Sequence, residues 1–254
     1  MNSLIASVVL GGLGLIVGSF LAMVSVRLPL EEDVVAAPSH CRGCGQRLRP
    51  WERVPVVSWL VLKARCVRCG CRISPRYPLI ELGAAALGVW AALWAGWSGA
   101  SVFVTAATAL LGWQLLLIAL VDGENYWLPD RLTLPLIGTG LAVAVAQGWH
   151  VAASNLIGAV VGFVGLWLVG RLYQAVRKRR GLGGGDPILF AGAGAWVGWP
   201  GLPSVMLWAC AAALGLVFGL LVARRSIQAT TSLPFGVFLA VGVWLTWLYG
   251  PLGF

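Results

Sequence analysis

Two aspartates and two cysteine pairs carry the chemistry this sequence offers. Asp122 directly follows the apolar run from Leu115 to Val121. Asp186 follows Gly183-Gly184-Gly185 and precedes Pro187 and another apolar run. Like charges a few ångströms apart cannot both ionise, so two facing carboxylates share a proton. One then accepts a proton from water as general base, and the other donates to a scissile carbonyl or leaving amine. Peptide hydrolysis by this route needs no metal and no covalent intermediate. The sequence's two histidines, His40 and His150, lie far from the glycine run and offer no partner to a Ser or Cys nucleophile there. Two other roles stay open for these acids: helix capping at membrane interfaces, and proton- or ion-coupled transport.

The cysteines point to a different chemistry. Cys41-Arg-Gly-Cys44-Gly and Cys66-Val-Arg-Cys69-Gly place two C-x-x-C pairs 21 residues apart. This is close to the spacing of a structural zinc site with four cysteine ligands. Four protein ligands leave no open position on a tetrahedral zinc, so the metal would be structural. The glycine after each pair suits a tight knuckle. A polar insert of this size with few apolar anchors needs such a clip to hold a fold. The other reading is two reduced or redox-active pairs. Cys71 is a spare on this reading, and Cys210 is an apolar residue within a helix.

The surrounding elements are those of a membrane protein. Hydrophobic residues make up 59% of the 254, and charged residues 11%, whereas a soluble domain of this size is about 25% charged. Eight apolar runs, about 3–26, 79–97, 101–121, 132–149, 152–172, 187–201, 203–223 and 234–253, approach the roughly 20 residues a membrane helix requires. The expected fold is an all-α polytopic membrane protein of about eight transmembrane helices with a small zinc-knuckle insert after the first. The expected organisation is a first helix at 1–27, the insert at 28–78 and a seven-helix membrane domain at 79–254. Arg27 follows the first apolar run rather than preceding it, which argues against a cleaved signal peptide.

The 18 Lys and Arg residues set the orientation. They fall at Arg27, throughout 28–78, at Arg131, within 171–180, and at Arg224 and Arg225. With eight spans all these segments lie on one side, while the connections near 98–100, 150–151 and 202 carry none. Positive charge marks the cytoplasmic side, so both termini are expected to face outward, with Asp122 and Asp186 near the cytoplasmic face. The net charge of +9 is then a topology signal rather than a nucleic-acid footprint. Gly14-x-x-x-Gly18 and Gly158-x-x-x-Gly162 fit close helix packing.

Taken together, these motifs resemble the type IV prepilin peptidases, the bacterial members of the Gly-x-Gly-Asp membrane aspartic proteases. Gly18-Ser-Phe-Leu21 with Arg27-Leu-Pro29 is similar to the family's opening. The segment from Cys41 to Glu81, ending Ile73-Ser-Pro-Arg-Tyr-Pro-Leu-Ile-Glu81, is similar to its insert. Asp122, followed by Asp130 in Leu128-Pro-Asp-Arg-Leu-Thr133, resembles the first catalytic motif. Gly183-Gly-Gly-Asp186 with Gly194-Ala-Trp-Val-Gly198 resembles the second.

The resemblance implies a double activity in the bacterial inner membrane. The leader of prepilins or of type II secretion pseudopilins is cut after a Gly on the cytoplasmic side, with Asp122 and Asp186 catalytic. The new N-terminal residue is then methylated from S-adenosyl-L-methionine. Glu81 and Arg27 are nominees for contacting that methyl donor, and Cys41, Cys44, Cys66 and Cys69 for zinc. Three positions depart from the family pattern: Ala22 for Asn, Glu124 for a second Asp, and Ile188 for Lys. The alternatives are a protease without methylation and a non-catalytic membrane scaffold carrying a zinc knuckle.

Overall fold

A computed structural model describes residues 3–34, 38–178, 181–223 and 233–253. Of the basic residues used above for orientation, Arg179, Arg180, Arg224 and Arg225 lie outside these. Among the described residues the chain is all-helical, with two isolated β-bridges and no strand. The helices are α1 (Ser3–Arg27), the short α2 (Val57–Val61), α3 (Arg76–Ser98), α4 (Val102–Asn125), α5 (Asp130–Gln147), α6 (Trp149–Arg177), α7 (Asp186–Val222) and α8 (Phe235–Tyr249). Five of them, α1, α3, α4, α6 and α7, are long and apolar enough to cross a membrane, and α8 is a shorter apolar helix. The chain forms two compact units, Met1–Leu117 and Ile118–Phe254, dividing within α4.

In the first unit, α1 lies against α3 along small residues. A Cβ at Gly14 would come within 2.6 Å of the Ala85 backbone, and one at Gly18 within 2.6 Å of Glu81 Cα. These glycines therefore let the two backbones approach as the small-residue spacing predicts. Arg76 opens α3 and reaches the end of α1, donating to Ser25 Oγ (2.8 Å) and to the Ala22 carbonyl (3.3 Å). The insert between α1 and α3 holds two matching knuckles. In each the glycine after the C-x-x-C pair donates its N–H to the first cysteine's carbonyl: Gly45 to Cys41 (2.8 Å) and Gly70 to Cys66 (3.0 Å). Both glycines have left-handed backbones, φ +69° and +70°, a conformation in which glycine has no steric cost.

The second unit is built around α7, which packs on α5, α6 and α8. Gly158 of α6 sits against the α7 backbone at Gly194 and Gly198, and Gly162 sits against Phe190. The two runs expected at 187–201 and 203–223 lie in this one element, broken at Gly198 (φ 72°, ψ 175°) rather than at 202. The cause is local chemistry. Pro200 has no N–H, so the Trp196 carbonyl loses its helical donor, and the turned backbone at Gly198 disrupts the bonding beside it. Asn155 of α6 supplies replacements, its Nδ2 lying 2.9 Å from the Ala195 oxygen and 3.2 Å from that of Trp196. Another boundary moves as well. The connection expected at 150–151 falls at Gly148 (φ 127°), so His150 belongs to the first turn of α6.

Candidate active site and cysteine cluster

Both aspartates belong to the second unit and both are buried. The apolar run ending at Val121 continues as helix to Asn125, which puts Asp122 in the last full turn of α4. The chain leaves that helix through Tyr126 (φ 52°), whose N–H bonds the Asp122 carbonyl at 2.8 Å. The carboxylate itself reaches the start of α8. Val237 N–H donates to Asp122 Oδ2 at 3.2 Å, with Gly236 packed against the same carboxylate.

Asp186 is the first residue of α7, with Pro187 behind it in the favoured early position. Gly183 N–H donates to Asp186 Oδ2 at 2.9 Å, closing the glycine run back onto the side chain. Two of the three glycines have a steric reason to be there. A Cβ at Gly183 would lie 3.0 Å from Asp186 Oδ2, and one at Gly185 would lie 2.8 Å from Leu128 Cβ. The run thus brings the chain against both the catalytic candidate and the segment entering α5. The contact of Gly185 with Leu128, just beyond the end of α4, brings the start of α7 and the end of α4 to the same end of the unit, and with them the two acids that the sequence singled out. Asp122 accepts from the start of α8 and Asp186 from the Gly183 N–H in the run before α7, bonds that orient each side chain.

Glu81 and Arg27 have other occupations, both within the first unit. Glu81, buried on α3, accepts the Val56 N–H at 2.7 Å and bonds the Ser19 side chain. Val56 has a left-handed φ of 59°, which a β-branched residue adopts only under constraint. Glu81 therefore pins the turn that starts α2. Arg27, also buried, donates to the carbonyls of Asp33 (3.0 Å) and Pro38 (2.9 Å) and approaches Glu32 at 4.0 Å. It ties down the first stretch of the insert. Both nominees are thus engaged with the protein itself.

The cysteines do converge, with a change of membership. The sulfurs of Cys41, Cys66, Cys69 and Cys71 all lie within 4.8 Å of one another. A tetrahedral zinc with arms of about 2.3 Å separates its sulfurs by about 3.8 Å, and Cys41 Sγ to Cys69 Sγ measures 3.8 Å. Cys41 Sγ to Cys71 Sγ measures 3.3 Å. The donor set therefore fits a thiolate metal. Cys44 is exposed and outside that foursome, although it interacts with Cys41 and Cys69. Cys71, a spare by spacing alone, is the fourth member of the cluster. Its signal was Cys69-Gly70-Cys71, where the left-handed glycine turns the chain back over the knuckle. Burial opposes ionisation of Cys41. The N–H groups of Cys44 and Gly43 and the thiol of Cys71 outweigh it, pulling the Cys41 pKa down to about 6.

Comparison with known proteins covers both units. The bacterial peptidase A24 N-terminal domain matches residues 13–95, and the type IV leader peptidase family matches residues 109–220. A protein of Pseudomonas putida named prepilin leader peptidase/N-methyltransferase is 38% identical over 262 residues, covering 94% of this chain and 88% of the relative. Its namesake in Pseudomonas aeruginosa is 37% identical over 265 residues, with the same coverages. The one in Dichelobacter nodosus is 36% identical over 267 residues, covering 94% of this chain and 90% of the relative. No solved structure matches the chain.

Proposed function

The chain belongs to the type IV leader peptidase family, and from that premise we propose that it is a prepilin leader peptidase that also N-methylates the residue it exposes. The observation that carries the peptidase half is the convergence of Asp122 and Asp186, the only two aspartates buried among the described residues. One carboxylate accepts a proton from the attacking water, and the other donates to the scissile carbonyl and then to the leaving amine. The backbone N–H groups of Val237 and Gly183 hold the two side chains toward the reaction.

The substrate is an apolar helix with a short leader, either a prepilin or a type II secretion pseudopilin. Its leader junction, cut after a Gly, comes to the dyad at the cytoplasmic face of the bacterial inner membrane. The orientation follows from the Lys and Arg side of the chain. In this reading the chain crosses eight times, with the two halves of α7 as separate crossings and both termini outside. The insert holds a structural zinc through its cysteines. The methyl donor for the second step is S-adenosyl-L-methionine, with Glu81 and Arg27 of the first unit as the nominees for contacting it.

The test is incubation of the purified full-length protein with a prepilin and S-adenosyl-L-methionine, read by mass spectrometry. Loss of the leader together with gain of one methyl group is expected. Leader loss alone leaves a protease without methylation. An unchanged prepilin leaves a non-catalytic scaffold and sinks the proposal.

A further inference from the structure

We propose that Gly236 and Val237, at the start of α8, are positioning residues for Asp122; this rests on the reading of Asp122 as a catalytic acid. The first N–H groups of a helix have no partner within it. At α8 the Val237 N–H is shared between the Pro234 carbonyl (3.2 Å) and one side chain. Pro234 precedes the helix in an extended conformation (φ −71°, ψ 92°), and the next residues bring Val237 N–H to 3.2 Å from Asp122 Oδ2. Gly236 makes that approach possible. A Cβ there would stand 2.8 Å from Asp122 Oδ2 and 3.0 Å from its Cγ, closer than carbon and a carboxylate tolerate. The fit continues along α4, where a Cβ at Gly123 would sit 3.4 Å from Val237 Cγ2. The first turn of α8 thus meets the carboxyl end of α4 at Asp122 and Gly123. Asp122 is at the tail of its own helix, where the exposed carbonyls repel an anion. The head of α8 supplies an N–H that the tail of α4 lacks. A reacting carboxylate must be held to within about 0.5 Å of its productive place. Here the side chain's reach is fixed by α4, and its direction by α8.

The test uses the full-length enzyme. Gly236→Ala pushes the carboxylate aside, and Val237→Pro removes the donor at a first-turn position where proline is accommodated. Gly242→Ala is the control. It crowds the same helix against the backbone at Val205 and Ala209 in α7, away from Asp122. In Gly236→Ala and Val237→Pro, kcat for leader cleavage is expected to fall about a hundredfold with KM unchanged. Gly242→Ala is expected to lower the melting temperature while the folded enzyme keeps kcat within about threefold. If Gly236→Ala is not recovered folded, Val237→Pro decides. The proposal is overturned if both start-of-helix variants keep kcat within about threefold while Asp122→Asn is inactive. It is also overturned if kcat in all three variants simply tracks the melting temperature. Cleavage that survives in Asp122→Asn would instead remove the catalytic reading itself, and the positioning role with it.

Discussion

The side-chain amide of Asn155 lies 3.2 Å from the Trp196 carbonyl, bridging α6 to the break in α7. The pairing answers a deficit written into the chain, since Pro200 cannot donate to that oxygen. Asn155 also takes the Ala195 carbonyl, and both bonds are buried. Asn155→Leu leaves the Trp196 carbonyl without a donor and removes one bond from that of Ala195. A loss of about 1–3 kcal/mol per buried orphan is expected, read as a lower melting temperature in detergent. A variant that melts at the parental temperature would show that the break is satisfied another way.

The dyad makes a sharper demand. Asp122→Asn and Asp186→Asn keep the shape of each side chain and can still accept the N–H bonds from Val237 and Gly183. Folding should therefore be preserved while proton transfer is lost. Leader cleavage is expected to drop about 10²–10⁴-fold in each variant. Methylation of a pilin peptide supplied already cleaved should continue. Loss of both activities together would mean that the substitutions disturb the fold rather than the chemistry.

Glu81 separates a structural role from a cofactor role. Its carboxylate holds the Val56 N–H at 2.7 Å, and Val56 is in a backbone conformation that needs holding. In Glu81→Ala that donor is orphaned at a cost of about 1–3 kcal/mol, enough to raise local opening about fivefold or more. Trypsin should then cut faster at Lys63 and Arg65, just beyond α2. Unchanged digestion with a raised KM for S-adenosyl-L-methionine would return Glu81 to the methyl-donor site.

What the sequence made legible was set by how local each signal is. Asp122 and Asp186 stood out because ionisable groups beside long apolar runs are costly. The knuckle glycines stood out because Gly45 and Gly70 follow their cysteine pairs at the same offset. The contacts that required the fold are long-range ones. Val237 is 115 residues from Asp122, and nothing in Pro234-Phe235-Gly236 alone says which side chain it will meet. The break in α7 was misplaced to 202 for a related reason. Several of Gly198, Pro200, Gly201 and Pro203 could end a helix, and only packing against Gly158 and Asn155 selects Gly198. Arg27 is a methyl-donor nominee by sequence, and its bonds to the Asp33 and Pro38 carbonyls beyond α1 are visible only in the fold.

The cysteine cluster is where residue spacing and geometry give different ligand sets, and zinc analysis decides between them. Cys41, Cys66 and Cys69 are common to both, so serine at any of these is expected to release the metal. The fourth position distinguishes them. Spacing selects Cys44, whereas the structure places Cys71 Sγ 3.3 Å from Cys41 Sγ, inside the foursome, and leaves Cys44 exposed at its edge. Cys71→Ser should therefore lose zinc and destabilise the insert, since structural zinc binding is itself folding free energy. Cys44→Ser should retain about one zinc per chain, as a site with four protein ligands requires. Metal content of the purified variants by mass spectrometry reads this directly. Zinc kept in Cys71→Ser and lost in Cys44→Ser would restore the two C-x-x-C pairs as the ligand set, with Cys71 a bystander.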